Sequence, residues 1–412
     1  MKYVNYVLII IYVIISSLKK ILGLPKTSNK KMLIILDQPG IGDTVCLLDA
    51  LYNIERNFSE EFQIYFTAPK SVIHFLMSTN STFGFEFISL DLVDKFKLNK
   101  FKSNSQILQV QKWDVIISFN RIGIFLKLLI FSLQYNKLYV SEFLEVANHV
   151  IERFLSKFLS NYSCLKFPYR EHVLTVHKKM FYFVFNSLYP NRTNPHYLKY
   201  NIPILSPPIL EKNENYILLC PSIARDHSNP FRAWSVDNYV KLCDYLTSTL
   251  NLKVCVSGTS ADCSVNSYLK RQVLNKSMVI DLTGGTSFKE WIELIRNAKF
   301  IVGNDSGYIH LVAHLGVPSF VISGYWNYGR FLPYPNDHNK KTKPVDIRIK
   351  KVSCESCSRR FIPQNNLDKK ECDNDIKLYN TYKCIHDISC EYVIQTIEKF
   401  YHTKENWNDI KV

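Results

Sequence analysis

Between Tyr216 and Gly324 the chain lays down five short apolar runs separated by four longer amphipathic ones. The runs are YILLC, KVCVSG, MVIDL, KFIVG and SFVISG, and the segments between them (236–250, 262–274, 287–298 and 308–315) carry helical periodicity. Short apolar runs of this kind are what buried parallel strands show. Repeated βα units imply a parallel sheet with helices on both faces and right-handed crossovers. The first half repeats the theme with MLIILD (32–37), FQIYFTAP (62–69), FEFISL (85–90) and WDVIISF (113–119), and with a very apolar helix over 123–135. A Pro- and Asn-rich stretch over 190–215 reads as a linker. The chain is therefore predicted to be α/β, with two αβα domains over 31–200 and 214–400 and a ligand crevice between their facing strand ends. A length of 412 residues suits two domains.

Residues 1–24 stand apart. YVNYVLIIIYVIISSL (3–18) is apolar but shorter than the roughly 20 residues a spanning helix needs. Lys2, Lys19, Lys20, Lys26, Lys30 and Lys31 flank it with no acid among residues 1–31. Positive charge downstream favours holding the bulk of the chain on the cytoplasmic side, so a membrane-associated hydrophobic helix is expected there. The whole chain carries a net charge of +15, which suits an anionic partner. No helix-turn-helix, zinc-finger or RNP-like pattern directs that charge to nucleic acid. Of eleven cysteines, Cys46, Cys220, Cys243 and Cys255 fall inside apolar runs, as small core residues of a reducing compartment do.

Two strand-to-helix turns carry chemistry. In VGNDSGYIHLVAHLG (302–316), Asn304, Asp305, Ser306 and Gly307 cap a helix that ends at Gly316. Its N-terminus offers backbone N–H groups and the positive end of a dipole, which suits a diphosphate, with His310 in the first turn. In QPGIGDT (38–44), Gly40 and Gly42 permit a sharp turn and Asp43 falls at the helix start. A carboxylate there is a good helix cap, and it also lies where open α/β sheets bind ligands. The turn lacks the third glycine of G-x-G-x-x-G, and no G-x-x-x-x-G-K-[ST] occurs, so a dehydrogenase and a P-loop enzyme are both disfavoured.

PGIGDTVCLLDAL, WDVIISF, ILLCPSIARDHSNPFRAWSVDNY, VSGTSAD and DLTGGTSFKEWIELIRNAKFIVGNDSGYIHLVAHLGVPSFVISG, in this order, resemble glycosyltransferase family 9, the ADP-heptose lipopolysaccharide heptosyltransferases. The resemblance implies a GT-B fold of two facing Rossmann-like domains, with acceptor bound by the first and nucleotide-sugar by the second. It implies no cofactor and no metal. Asp43 matches the general base. Asp305, Ser306, Gly307, Tyr308 and His310 match the donor motif, Ser222 a phosphate contact, and Ser287 opens the helix near the base pocket. Ser260 stands where relatives carry a ribose-binding Glu. Arg232, in Arg232-Ala233-Trp234-Ser235, replaces the Lys of a K-x-W-P pattern; it keeps the charge and adds a fork suited to phosphate.

An inverting transfer of heptose or a related sugar from ADP-heptose to a lipid-linked saccharide, at the inner face of the bacterial inner membrane, is the expectation. The rivals are a GT-B-like nucleotide-sugar epimerase, a family member using another nucleotide-sugar for O-antigen or capsule, and a non-catalytic binding protein on the same scaffold. Cys354, Cys357, Cys372, Cys384 and Cys390 include one C-x-x-C and could bind zinc, but no second C-x-x-C completes the pattern. The aromatic segment YWNYGRFLPYP (325–335) could border the sugar pocket or seal the cleft.

Overall fold

The computed structural model describes residues 9–13, 29–36, 40–79, 83–90, 97–109, 111–119, 124–143, 161–168, 170–207, 210, 215–221, 230–325, 328–335, 343–349, 376, 378 and 380–402. The chain divides into two compact units, Met1–Asn201 and Ile202–Val412.

In the first unit, strands β1 (Lys30–Ile35), β2 (Phe62–Ala68), β3 (Glu86–Ser89), β4 (Trp113–Ser118), β5 (Tyr135–Phe143) and β6 (Tyr162–Phe167) form one sheet. Their order is β3-β2-β1-β4-β5-β6, and every pairing is parallel. The chain reverses its direction of travel across the sheet between β1 and β4. Such a switch point opens a crevice at the carboxyl ends of the strands, where α/β proteins bind ligands. The central strand β1 is buried along Met32–Ile35 because helices cover both its faces. Helix α1 (Ile41–Phe58) leaves the end of β1.

Two of these strands escape a reading by apolar runs. YNKLYVSEF of β5 carries Lys137 and Glu142, and YSCLKF of β6 is half-exposed at the sheet edge. The apolar helix expected over 123–135 stops early, as α2 (Ile124–Phe131), and its last residue instead begins β5. Lys127 of that helix is buried and pairs with Glu142 of β5 at 3.5 Å. The charge that breaks the strand's apolar pattern thus answers the charge that breaks the helix's. A further stretch that reads as a helix, NHVIERFLSKFL (148–159), lies outside the described residues.

Residues 9–13 are helical. Ile9 and Val13 are buried with Leu33, Tyr65 and Phe101, and Tyr12 meets Phe101 edge-on at 6.1 Å. Ile10 and Ile11 face outward. Among the described residues no helix is long and apolar enough to cross a membrane.

The stretch before the unit boundary is strapped onto α1. Asp49 accepts the Tyr200 N–H at 2.8 Å, and Asn53 brackets Leu198, accepting its N–H at 3.0 Å and donating to its carbonyl at 2.8 Å. Burial pushes the Asp49 carboxyl up to about 6, against the Tyr200 N–H and the Lys199 charge, which pull it down. A folded-state value above the unfolded one means stability that is fully present below about pH 4 and lost as pH rises through about 6. Asp49→Asn keeps an acceptor for Tyr200 and removes the buried charge. It should flatten the pH dependence of melting between pH 4 and 8 and stabilise the chain at pH 8 by on the order of 1–2 kcal/mol. Thermal melts across that range check this, and an unchanged slope rejects it.

The second unit repeats the topology. Strands β7 (Tyr216–Cys220), β8 (Lys253–Val256), β9 (Val279–Asp281), β10 (Ile301–Asn304), β11 (Ser319–Ile322) and β12 (Val345–Ile347) lie in the order β12-β11-β10-β7-β8-β9, all parallel. Its switch point lies between β7 and β10. There Gly303 is compulsory: a Cβ would collide with the Cys220 carbonyl and the Tyr308 hydroxyl. The final helix, α3 (Cys390–His402), closes this unit's core through Val393 and Ile397, and Phe400 meets Phe320 edge-on at 5.1 Å.

Candidate active site

The sequence-derived donor residues that the structure describes follow successive strands along the carboxyl edge of the second sheet. Asp305 follows β10, Ser260 follows β8, and Ser287 follows β9. Ser222, expected to follow β7, lies outside the described residues.

The switch point is held by a side chain that sequence reasoning took only for a helix cap. Asn304 is fully buried. Its Oδ1 accepts the Trp234 N–H at 3.0 Å and its Nδ2 donates to the Pro221 carbonyl. One amide thus ties the end of β7 to the loop bearing Arg232. Leaving two buried backbone groups unpaired would cost about 1–3 kcal/mol each, so the site's two lips are fixed by this residue. The only signal for it in the sequence was an Asn at the end of an apolar run, directly before Asp-Ser-Gly.

Arg232 ends a short 3-10 turn, Pro230–Arg232. The loop is braced from behind: the Thr381 hydroxyl lies 2.9 and 3.0 Å from the Phe231 and Ala233 carbonyls, and the Trp234 indole donates to the Ile388 carbonyl at 2.7 Å. None of these contacts uses the Arg232 side chain. Its Nε is buried and, among the described residues, without a hydrogen-bond partner. A buried guanidinium N–H left open is a donor waiting for an anion.

Helix α4 (Tyr308–Leu315) starts at Gly307 with no side chain capping it. The Ile309 N–H bonds the Ser306 carbonyl at 3.2 Å, and the other N–H groups at this end are of the kind that serve an anionic ligand. Asp305, Ser306 and Gly307 are half-buried at this end, with the Asp305 N–H bonded to the Ile322 carbonyl at 3.0 Å. At the other end Gly316, at φ 81°, closes the helix in the left-handed conformation. Tyr308 and His310 are not turned to solvent. The Tyr308 hydroxyl is buried without a partner, packed over Gly303, and burial holds it well above the usual tyrosine range. His310 is buried, its Nδ1 2.8 Å from the Tyr334 hydroxyl and its ring 5.3 Å from that of Phe331. Part of the aromatic segment left open by the sequence therefore lines the back of this helix.

Ser260 and Ser287 lie farther along the edge. Ser260 is exposed and faces Gly284, which sits at φ 69°. Ser287 caps helix α5 (Phe288–Asn297), its hydroxyl accepting from the Glu290 N–H at 3.4 Å, while Glu290 accepts the Ser287 N–H at 2.7 Å. Trp291 anchors the same helix to the end of β8 through Ser257, at 2.8 Å.

In the first unit the helix begins at Ile41, so Asp43 sits inside the first turn and Gly40 is the cap. The Asp43 carboxylate accepts the Gly40 N–H at 3.1 Å. Gly42 is buried and Gly40 exposed. The capping role does not exclude a catalytic one, since an ionised carboxylate offers about four lone-pair sites and the cap uses one of them.

Among the described residues no group of three His, Cys, Asp or Glu gathers as for a metal. Cys354, Cys357 and Cys372 lie outside the described residues. Cys390 is a core thiol, raised to about 11 by burial and donating to the Asn238 carbonyl at 3.5 Å. Cys384 packs its sulfur under Gly324.

Residues 169–354 match the model of glycosyltransferase family 9 (heptosyltransferase). A 116-residue stretch is 27% identical to lipooligosaccharide heptosyltransferase 2 of Haemophilus ducreyi, covering 28% of this chain and 32% of that protein. That alignment thus spans about a third of the curated relative's length. A family 9 glycosyltransferase from Veillonella parvula superposes with a TM-score of 0.62 at 16% identity, covering 92% of this chain and all of that one. The Escherichia coli heptosyltransferase WaaC, solved with ADP-2-deoxy-2-fluoro heptose, gives 0.57 at 14% identity over 90% of this chain and 99% of that one. The iron-containing dodecameric glycosyltransferase TibC of enterotoxigenic E. coli gives 0.54 at 12% identity, covering 92% of this chain and 78% of that one. At these identities the likeness speaks for the fold, two parallel-sheet Rossmann-like domains of the GT-B type. The family match thus covers the candidate donor residues of the second unit, and the GT-B-type fold is shared along nine-tenths of the chain.

Proposed function

We propose that this protein is an inverting glycosyltransferase that moves a heptose, or a closely related sugar, from ADP-heptose to a lipopolysaccharide or other lipid-linked surface glycan. The observation that carries the reading is the second unit's switch point. An uncapped helix N-terminus, the Asp305 carboxylate and a guanidinium with a buried, unpartnered N–H all serve one strand edge. That is the chemistry a sugar diphosphate requires: donors for phosphate oxygens and an acceptor for sugar hydroxyls. The first unit takes the acceptor and the second the donor.

Asp43 removes the proton of the acceptor hydroxyl. The resulting oxygen attacks the anomeric carbon from the side opposite the diphosphate. A new C–O bond forms as the old one breaks, configuration inverts, and the electron pair departs with ADP. Arg232 and the N–H groups opening α4 offset the growing negative charge on that diphosphate. Ser222, Ser260 and Ser287 contribute to phosphate and nucleoside binding. No step is assigned to a metal or a cofactor.

The lipid-linked acceptor places the enzyme at the inner face of the inner membrane. Ile10 and Ile11, exposed beside a lysine-rich N-terminal stretch, support this. Each lysine near an anionic surface is worth about 1 kcal/mol.

Thermal-shift screening with ADP-, GDP-, UDP- and dTDP-sugars tests the donor. ADP-heptose at 100 times its dissociation constant should stabilise by about 2.7 kcal/mol. Transfer to acceptor carried on anionic vesicles should then release ADP and fall as salt is raised. A shift by UDP-sugars and none by ADP-heptose sinks the donor assignment.

A further inference from the structure

A long arginine side chain is only as well placed as the backbone that carries it, and the backbone around Arg232 is held from far along the chain. At Asn380 the chain turns through the left-handed conformation, φ 55°, with its N–H on the Ile376 carbonyl at 3.0 Å. Asparagine tolerates that conformation where most residues do not. The turn brings Thr381 and Tyr382, both buried, against the Arg232 loop. The Thr381 hydroxyl donates to the Phe231 carbonyl at 2.9 Å and to the Ala233 carbonyl at 3.0 Å, while the Tyr382 N–H donates to the Phe231 carbonyl at 2.9 Å. One hydroxyl proton is thus shared between the two residues that flank Arg232, a three-centre bond.

The two carbonyls are not equivalent. Phe231 keeps the Tyr382 N–H whether or not the hydroxyl is there, and its ring meets that of Tyr382 at 5.9 Å. Trp234 is fixed separately, by Asn304 Oδ1 on its N–H and the Ile388 carbonyl on its indole, with the Tyr239 ring edge-on at 4.9 Å. Ala233 links these two anchors, directly after Arg232, and the Thr381 hydroxyl holds its carbonyl. Ala233 is half-buried, so water can take the hydroxyl's place at little cost to the fold. Water does not reproduce the joining of both carbonyls to one atom, which sets the arc of backbone spanning Arg232. The brace itself is firm. Ile385 and Ile388 are buried in the unit's core, a Cβ on Gly324 would strike the Cys384 sulfur, and the Cys390 thiol reaches the Asn238 carbonyl at 3.5 Å.

We infer that Thr381 is a positioning residue for the transfer step: bonded to the carbonyls on both sides of Arg232, its hydroxyl aims the guanidinium at the diphosphate as charge develops there. This rests on the reading of Arg232 as the group that offsets the leaving diphosphate's charge. Arg232 Nε has no hydrogen-bond partner among the described residues, so the backbone, and not a partner at Nε, sets its direction. Bound ADP tolerates a guanidinium slightly out of line, because the N–H groups opening α4 hold it as well. Charge that appears only in the transition state is less forgiving, and a misplacement of about 1 Å can cost about 100-fold.

Steady-state transfer from ADP-heptose and calorimetry with ADP, both on the full chain, test this. Thr381→Val removes the hydroxyl and keeps the branched shape. It should slow transfer about tenfold and weaken ADP by no more than about threefold, with melting close to wild type. Thr381→Ala removes the hydroxyl without turning a methyl onto two carbonyls, and gives the same readings should the valine variant not fold. Thr381→Ser restores the hydroxyl and should bring rate and affinity back to within about twofold of wild type. In an Arg232→Ala background Thr381→Val should slow transfer no further, because the group it aims is gone. Wild-type turnover in the hydroxyl-free variants overturns the inference. So does a serine variant as slow as the valine one, or an equal loss with and without Arg232, either of which makes Thr381 a packing residue. If instead Arg232→Ala itself keeps wild-type turnover and ADP affinity, the charge-offset reading of Arg232 fails first and takes this inference with it.

Discussion

Asp43→Asn should slow transfer by about two to four orders of magnitude while ADP-heptose binding stays within twofold of wild type. The substitution isolates the proton transfer. Asparagine Oδ1 can accept the Gly40 N–H that Asp43 now accepts at 3.1 Å, so the first turn of α1 keeps its cap. What is lost is a basic group able to take a proton. The proposed donor contacts belong to the second unit's residues, so the two readouts separate cleanly. Steady-state rates with acceptor, set beside calorimetry of the donor, decide the matter. Turnover unchanged in the variant would falsify the base assignment. A parallel loss of donor affinity would instead show that Asp43 serves binding. Alanine is the poorer probe, because it removes the cap and the base together, and a lost cap alone costs about 1 kcal/mol.

The two sheets were legible where the strands are buried on both faces. Leu33–Ile35 and Ile301–Val302 sit in the middle of parallel sheets, and a run of apolar residues is the only pattern such a strand can show. Strand β5 was illegible because its polarity depends on partners in another element. Glu142 is tolerable there only because Lys127 reaches it, and nothing local in YNKLYVSEF announces that. The same distinction divides the site. Turns that end a strand and open a helix advertise themselves through glycine and short polar residues, which is why Asp43 and the Asp305 loop could be singled out. Asn304 looked like one more cap, although its two bonds run to Pro221 and Trp234, about eighty and seventy positions away in the chain.

Arg232→Ala carries the second large effect, and the geometry says why it should appear in chemistry more than in stability. The loop is kept in place by Trp234, Thr381 and backbone groups, none of which requires the guanidinium, so the variant should fold and melt near wild type. The side chain's buried Nε has no hydrogen-bond partner among the described residues. In the proposed reaction its value is realised when an anion arrives, and it grows as the diphosphate takes up charge on leaving. Loss of one such donor costs about 10²–10³ in turnover, whereas ADP in the ground state should weaken only about tenfold, because the N–H groups opening α4 still hold it. Arg232→Lys should recover most of both, since a point charge serves a diphosphate nearly as well as a fork does. The ratio between the two losses is the informative quantity. Equal losses in affinity and rate would make Arg232 a clamp that holds donor without favouring its departure. Unaltered calorimetry together with an unaltered rate would remove it from the site, and the leaving group would then depend on the helix N-terminus alone.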